Sequence, residues 1–289
     1  MAATLSIAIV ALNAETSLER VLESVRWANE IVLVDSGSTD RTAQIARSFG
    51  AKVFVEEWKG YAAQKNSAIA KATEDYILSL DADEEVSGEL AEEIRELLRQ
   101  PPQVRTLAPV LPAREASPIF INGFSMPRRN HFLRKWIRHG GFWPDPKLRL
   151  FRRGTGKFRE TLVHETLTVA ECHDDSMTVA SRCLTGAIIH HSYPTLSEYL
   201  DHMNRYSSLG AEAVAARGRR SFGVTQFVAR PFLTFLYNYF FRLGFLDGRE
   251  GLLLHLYHAE YVSWKYAKAW EIGQREKKAP AERPSSEGT

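Results

Sequence analysis

Between residues 5 and 99 short β-branched or aliphatic runs alternate with amphipathic stretches, the pattern of consecutive βαβ units around a mostly parallel sheet. Runs at 5–11, 30–35, 51–55 and 75–80 predict strands. Between them Leu18, Val21, Leu22 and Val25 recur at helical spacing, and 39–49 and 61–71 predict two more helices, with another around 87–98. Pro101-Pro102 breaks this rhythm, and 100–118 reads as a linker or an active-site loop. Residues 119–193 predict short strands and turns, and helices follow at 195–217, 224–244 and 249–272. The tail from Gln274, rich in Lys, Glu, Pro and Ser, predicts disorder. The chain thus divides into an α/β domain over 1–193, a helical region over 194–273 and a tail over 274–289.

Composition narrows this little. At 289 residues the chain can bury a sizeable core, and 44% hydrophobic with 25% charged residues is ordinary for a globular protein. A net charge of +2 selects no partner, so only the distribution of charge informs. Cys172 and Cys183 lack the spacing of a zinc site and predict reduced thiols in a cytoplasmic protein. The apolar start has no basic region before it and is stopped by Asn13-Ala14-Glu15, which suits a first strand better than a signal peptide.

The chemistry gathers at predicted strand ends, where open α/β sheets bind ligands. Val34-Asp35-Ser36-Gly37-Ser38-Thr39-Asp40 ends a strand, turns on glycine and opens a helix. Asp35 is a candidate for nucleoside contact, while Ser38, Thr39 and Asp40 also suit an Asx turn and helix cap. Asp81-Ala82-Asp83-Glu84 follows the apolar run Tyr76–Leu80. Carboxylates so close repel one another unless a cation or donors compensate, and Mg²⁺ or Mn²⁺ bridging to a diphosphate would do so. The alternative is that these acids merely open the next helix. Lys65, in Gln64-Lys65-Asn66, could reach a phosphate, and Gln64 and Asn66 could bond a base or the backbone.

A basic stretch from Arg128 to Arg153, including Arg134, Lys147 and Arg149, surrounds a single acid, Asp145. Trp136, Phe142 and Trp143 stand among these cations, and aromatic faces beside polar groups suit sugar rings. The patch would attract a phosphorylated acceptor, an anionic headgroup or a nucleic acid, though no nucleic-acid motif accompanies it. His164-Glu165 could supply a metal ligand and a general base.

Together these residues resemble the family 2 glycosyltransferases of the GT-A fold. The likeness runs over roughly 5–272 and points to the branch of lipopolysaccharide core β-glucosyltransferases. It implies a UDP-sugar donor, Mg²⁺ or Mn²⁺, and inverting transfer of a hexose, glucose, to a hydroxyl of a lipopolysaccharide-core-like glycolipid. Asn13, Glu15, Asp35, Ser38, Lys65, Asn66 and Asp81 would serve the nucleotide sugar. Asp81, Asp83 and His164 would serve the metal, and Trp143, Arg149 and Arg128 the acceptor or phosphate. Asp145 and Glu165 are the candidate bases. One base suffices, because a diphosphate leaves without a proton.

Phe227–Leu246 is the most apolar segment, but Arg230 and Arg242 bracket only 11 uncharged residues, against the ~20 a membrane span needs. It suits a bilayer interface or a helix packed on its successor. The resemblance implies a cytoplasmic protein peripheral to the inner face of a bacterial inner membrane. Two other readings remain: a polyprenyl-phosphate glycosyltransferase, and a non-catalytic sugar- or lipid-binding protein.

Overall fold

Leu5, Ile7 and Ile9 alternate with Ala8 and Val10 along β1 (Leu5–Ala11), and the two sets feed different apolar layers, as a strand covered on both faces requires. The structure, a computed structural model, describes residues 2–100, 119–159, 166–169, 178–217 and 223–278. After β1 come α1 (Leu18–Val25), β2 (Glu30–Asp35), α2 (Thr42–Ser48), β3 (Lys52–Val55), α3 (Tyr61–Lys71) and β4 (Tyr76–Asp81). The odd residues of β1 pack with Leu18, Val21, Leu22 and Val25 of α1 on one face, and Ala8 meets Ala62 and Ala68 of α3 on the other. Each fully buried Leu or Ile contributes about 1.5–3 kcal/mol.

One difference from the expected pattern follows β4, and it rules out the alternative for the acids. The acids at 81–84 do not open a helix: Glu84 starts a short strand, β5 (Glu84–Val86), and α4 (Gly88–Arg99) begins beyond it, its Leu90 N–H donating to Ser87 Oγ at 3.2 Å. Then come β6 (Ile119–Met126), β7 (Arg128–Phe132), β8 (Lys135–Trp136) and β9 (Lys147–Arg152). They are followed by β10 (Gly156–Arg159), β11 (Thr166–Val169), β12 (Thr178–Cys183) and β13 (Ile188–Tyr193).

The main sheet has seven strands in the order β12-β6-β9-β4-β1-β2-β3. All neighbours are parallel except those of β9, which runs against β4 and β6. The expected α/β core with a mostly parallel sheet is therefore present. A four-stranded sheet, β5-β13-β7-β8, and the β10-β11 hairpin complete this unit, Met1–Pro194.

At the amino ends of β1 and β2, Glu30 is buried and accepts from Ser6 Oγ at 2.5 Å, Lys52 Nζ at 2.6 Å, and Thr73 N–H and Oγ1 at 2.8 and 2.9 Å. Burial alone would raise its pKa, but Lys52, Ser6 and Thr73 outweigh it and lower the carboxyl from 4.5 to about 2. A depressed carboxylate stabilises the fold above its unfolded pKa and loses that contribution as pH falls through the folded one. Glu30→Ala should cost roughly 3 kcal/mol in urea unfolding at pH 7 and far less near pH 2. Catalysis at the far end of the strands should be untouched.

The second compact unit, Thr195–Thr289, is helical: α5 (Leu196–Ala216), α6 (Arg230–Leu236) and α7 (Gly248–Lys278). Two corrections apply here. The expected helix over 224–244 is α-helical only in α6, which lies between π-helical turns at Thr225–Ala229 and Tyr237–Phe241. Helix α7 also continues past Gln274, where disorder was expected. Glu271 and Arg275 pair at i,i+4 (2.6 Å) and the residues that follow are good helix formers. No helix among the described residues is long and apolar enough to cross a membrane.

Candidate active site

The reversed course of β9 assembles the site. Its register against β4 pairs Tyr76 with Arg152 and Leu78 with Leu150, so the start of β9 lies beside the carboxyl end of β4. Arg149 thereby meets Asp81 and Glu84, across more than sixty residues of sequence. Met126, at the end of β6, pairs with Lys147, and Arg128 at the start of β7 arrives at the same place.

The outcome is a chain of alternating charge. Lys65 Nζ lies 2.6 Å from Asp81 Oδ1, and Arg149 Nη2 lies 2.7 Å from Asp81 Oδ2 and 2.8 Å from Glu84 Oε1. Arg128 Nη1 reaches the same Glu84 oxygen at 3.2 Å and donates from Nε and Nη2 to Asp145 Oδ2 at 3.0 and 2.8 Å. Lys147 ends the chain, 2.8 Å from Asp145 Oδ1. Glu84 is fully buried and Lys65 and Arg149 nearly so, which ordinarily costs several kcal/mol per ion unless each is paired. Here each is. Burial would raise the Asp81 pKa, but Lys65 and Arg149 override it and hold the carboxyl far below the usual range.

Asp145 takes a left-handed backbone (φ 41°) after a cis Trp143–Pro144 bond. Burial works to raise its pKa, yet Arg128, Lys147 and Asn130 hold it below the ordinary carboxylate value. Trp143 stacks edge-on against Trp136, ring centroids 5.2 Å apart. The basic stretch read from the sequence is thus largely consumed internally, since Arg128, Lys147 and Arg149 all answer acids and Arg138 lies over the Trp136 ring at 4.2 Å.

Asp83 stands apart from this chain. Its side chain is 37% exposed, and His190 Nε2 lies 3.4 Å from Oδ2. His190 comes from β13, which pairs with β5 so that His190 faces Glu84, and with β7 so that it faces Asn130. Its Nδ1 lies 2.8 Å from Asn130 Oδ1 and 2.7 Å from Ser192 Oγ. Sequence reasoning passed over this histidine. The only signal was an apolar strand ending in His190-His191, which says nothing about the acid it meets.

The nucleoside candidates sit at the ends of β1 and β2. Asp35 is buried and closes the turn, accepting from Ser38 N–H at 3.2 Å and Ser38 Oγ at 2.5 Å. Asn13 N–H donates to Ser38 Oγ at 2.9 Å, and Asn13 Oδ1 accepts from Thr39 N–H at 2.9 Å. Glu15 accepts from Arg41 N–H at 3.1 Å, and Asp40 takes the Glu15 N–H at 3.1 Å. The structure therefore brings Asn13, Glu15, Asp35 and Ser38 together as one hydrogen-bonded ledge. Two polar groups nearby in sequence have no partner among the described residues: the Ser36 hydroxyl, buried, and the amide of Gln64, wholly buried on α3. Such orphans call for a ligand or a water. Asn66 instead clasps Phe158, donating to its carbonyl and accepting from its N–H, both at 2.8 Å. His164 and Glu165 lie outside the described residues.

Comparisons with known proteins identify the family. A family model, Glycosyl transferase family 2, matches residues 6–154, from β1 to just past β9. A lipopolysaccharide core biosynthesis glycosyltransferase, LpsC, from Rhizobium meliloti is 29% identical over 92% of each chain. An uncharacterized glycosyltransferase of Rickettsia bellii is 30% identical over 91% of this chain and 85% of its own. Among solved structures, the mannosyltransferase PcManGT from Pyrobaculum calidifontis, in complex with GDP-Man and Mn²⁺, aligns with 98% of this chain and 89% of that one at 16% identity and a TM-score of 0.45. Because the family match spans more than half of the chain and takes in β1, Asp35, Asp81, Asp83 and β9, the protein belongs to glycosyl transferase family 2 and is an enzyme of that class.

Proposed function

We propose that the protein is an inverting hexosyltransferase that carries glucose from a UDP-sugar to a hydroxyl of a lipopolysaccharide-core-like glycolipid. The observation that supports it most is the division of labour at 81–84: Asp81 has both oxygens on cations, while Asp83, exposed to a similar degree, has the His190 imidazole beside it. The similarity to LpsC along nearly the whole of both chains supports the acceptor class. Such an acceptor implies a peripheral place on the inner face of a bacterial inner membrane.

A carboxylate oxygen is a donor that Mg²⁺ or Mn²⁺ takes, and an imidazole nitrogen one that Mn²⁺ accepts more readily than Mg²⁺; Asp83 with His190 fits that need better than Asp81, each of whose oxygens already faces a cation. When bound, the cation supplies positive charge to the diphosphate leaving group. Lys65 and Arg149 keep Asp81 ionised and fixed, so the turn that carries Asp83 is held in place. The ledge of Asn13, Glu15, Asp35 and Ser38, with the free Ser36 hydroxyl, receives the nucleoside. Asp145 is a poor base, because Arg128, Lys147 and Asn130 stabilise its ionised form. Glu165 then takes the acceptor proton, and Asp145 orients Arg128 and Lys147 toward the acceptor.

The deciding experiment incubates the protein with radiolabelled nucleotide sugars and Mg²⁺ or Mn²⁺, with lipopolysaccharide core or polyprenyl phosphate as acceptor. Label from UDP-glucose on the core is expected. Label on polyprenyl phosphate would replace this reading with the runner-up. In the same assay Glu165→Gln should abolish the acidic limb of the kcat profile. If Asp145→Asn does so instead, the base assignments are exchanged.

A further inference from the structure

From Val224 to Leu246 the helical unit presents most of its large apolar residues outward. Val224, Val228, Phe232, Leu233, Tyr237, Phe240, Phe241, Leu243, Phe245 and Leu246 are all exposed, Phe241 by 78% and Phe232 by 58%. Through Val224, Val228, Phe232, Leu233, Tyr237 and Phe241 they recur at steps of four, Phe232 and Leu233 sharing one turn, so one outward stripe runs from the first π-helical turn through α6 to the second. Inward positions are taken by Pro231, Gly244 and Asp247, which are buried, and Ser263 of α7 donates to the Phe227 carbonyl at 2.9 Å. Phe227, Phe235 and Tyr239 are half-buried and Tyr239 meets His255 of α7, yet the larger number of aromatic and aliphatic side chains in the segment stays exposed. A contiguous apolar face of this kind is uncommon on a soluble monomer and marks a site of interaction.

Charge identifies the occupant. From residue 213 to 246 the sequence contains five arginines and no acid. Arg230 and Arg242 are exposed at the two ends of the aromatic stretch, Arg242 over the Tyr237 ring at 5.8 Å and Arg230 held by the Tyr266 hydroxyl at 2.5 Å. A groove lined by Thr225, Gln226, Ala229, Leu233, Thr234 and Tyr237 opens beside Arg230. Two copies of such a face would oppose like charges around an apolar centre, which disfavours self-association. Phe and Tyr with flanking arginines match the boundary between acyl chains and anionic headgroups.

We propose that the helical unit docks on an anionic phospholipid bilayer through the face formed by residues 224–246. The aromatic side chains enter the acyl boundary, and Arg230 and Arg242 meet lipid phosphates. This deepens the glycolipid reading above by naming the surface that holds the enzyme where its acceptor is embedded.

The test is sedimentation of the full chain with vesicles of phosphatidylethanolamine and phosphatidylglycerol, compared with phosphatidylcholine alone. Binding to the anionic vesicles, weakened by salt and by at least about tenfold in Phe240→Ser/Phe241→Ser, is the expected result. Arg242→Glu, a second variant on an exposed position, should weaken it as well, and circular dichroism checks that both fold. Failure to bind anionic vesicles, or equal binding to both kinds, overturns the proposal. So does a dimer in solution that Phe240→Ser/Phe241→Ser turns into a monomer. Sugar transfer to a deacylated, water-soluble core acceptor should be unchanged in these variants. Vesicle binding without any transfer would leave the docking surface standing and refute the acceptor reading alone.

Discussion

Asp83→Ala should lower transfer from the nucleotide sugar by about 10²- to 10³-fold, the loss expected when one preorganised charge on a leaving group's counterion is removed. The protein should keep its fold, because the Asp83 side chain is partly exposed and its described partner is His190 alone. Calorimetric titration of UDP in the presence of Mn²⁺ should show the metal-dependent part of binding vanish in Asp83→Ala and weaken in His190→Ala. Asp81→Asn behaves differently. It leaves Lys65 and Arg149 facing a neutral amide, so activity and stability should fall together. An Asp83→Ala enzyme with full turnover would remove the cation from the proposed chemistry.

Arg149→Met is expected to be the most destabilising single change in the site, by about 3–5 kcal/mol in urea unfolding. Arg149 is almost wholly buried and its Nη2 serves two carboxylates, Asp81 at 2.7 Å and Glu84 at 2.8 Å. Methionine fills a similar volume and answers neither. Burial opposes charge on Arg149, but Glu84 and Asp81 prevail and raise its pKa, so it is a fixed cation at every accessible pH. Arg149→Met/Glu84→Gln should recover part of the stability, since the uncompensated buried charge is then gone while Arg128 keeps Asp145. Activity should not return with it, because Asp81 has still lost a partner. A single variant with wild-type stability would mean that Glu84 is held by Arg128 alone.

Much of the first hundred residues was legible because the βαβ signal is local. The alternation in β1 and the 18/21/22/25 spacing of α1 are set by neighbours in sequence, and both occur where expected. The strand-end location of Asp35 and Asp81 follows from the same reading. The pairing of β9 was not legible, because Lys147–Arg152 has the same alternation whichever way it runs. Arg128 and Arg149 therefore read as a solvent-facing patch for a phosphate, while in the structure they neutralise acids met only through that pairing. His190 escaped for the same reason, since the contact with Asp83 depends on β13 lying beside β5. Asn66 was seen as a polar group able to bond base or backbone, and the partner it takes is the backbone of a hairpin 92 residues away.

The reversed strand β9 also governs the order of assembly. Strands β1 to β4 can pair with one another as soon as residue 81 has been synthesised, but the outer edge of β4 then stays open. Only β9 closes that edge, and β6 and β12 are attached to the sheet solely through it. An exposed, strongly apolar edge is where nascent chains pair with the wrong partner. Between residues 81 and 152 leaving the ribosome the β4 edge is therefore open to mispairing, and the strand that covers it is the one that delivers Arg149 to Asp81.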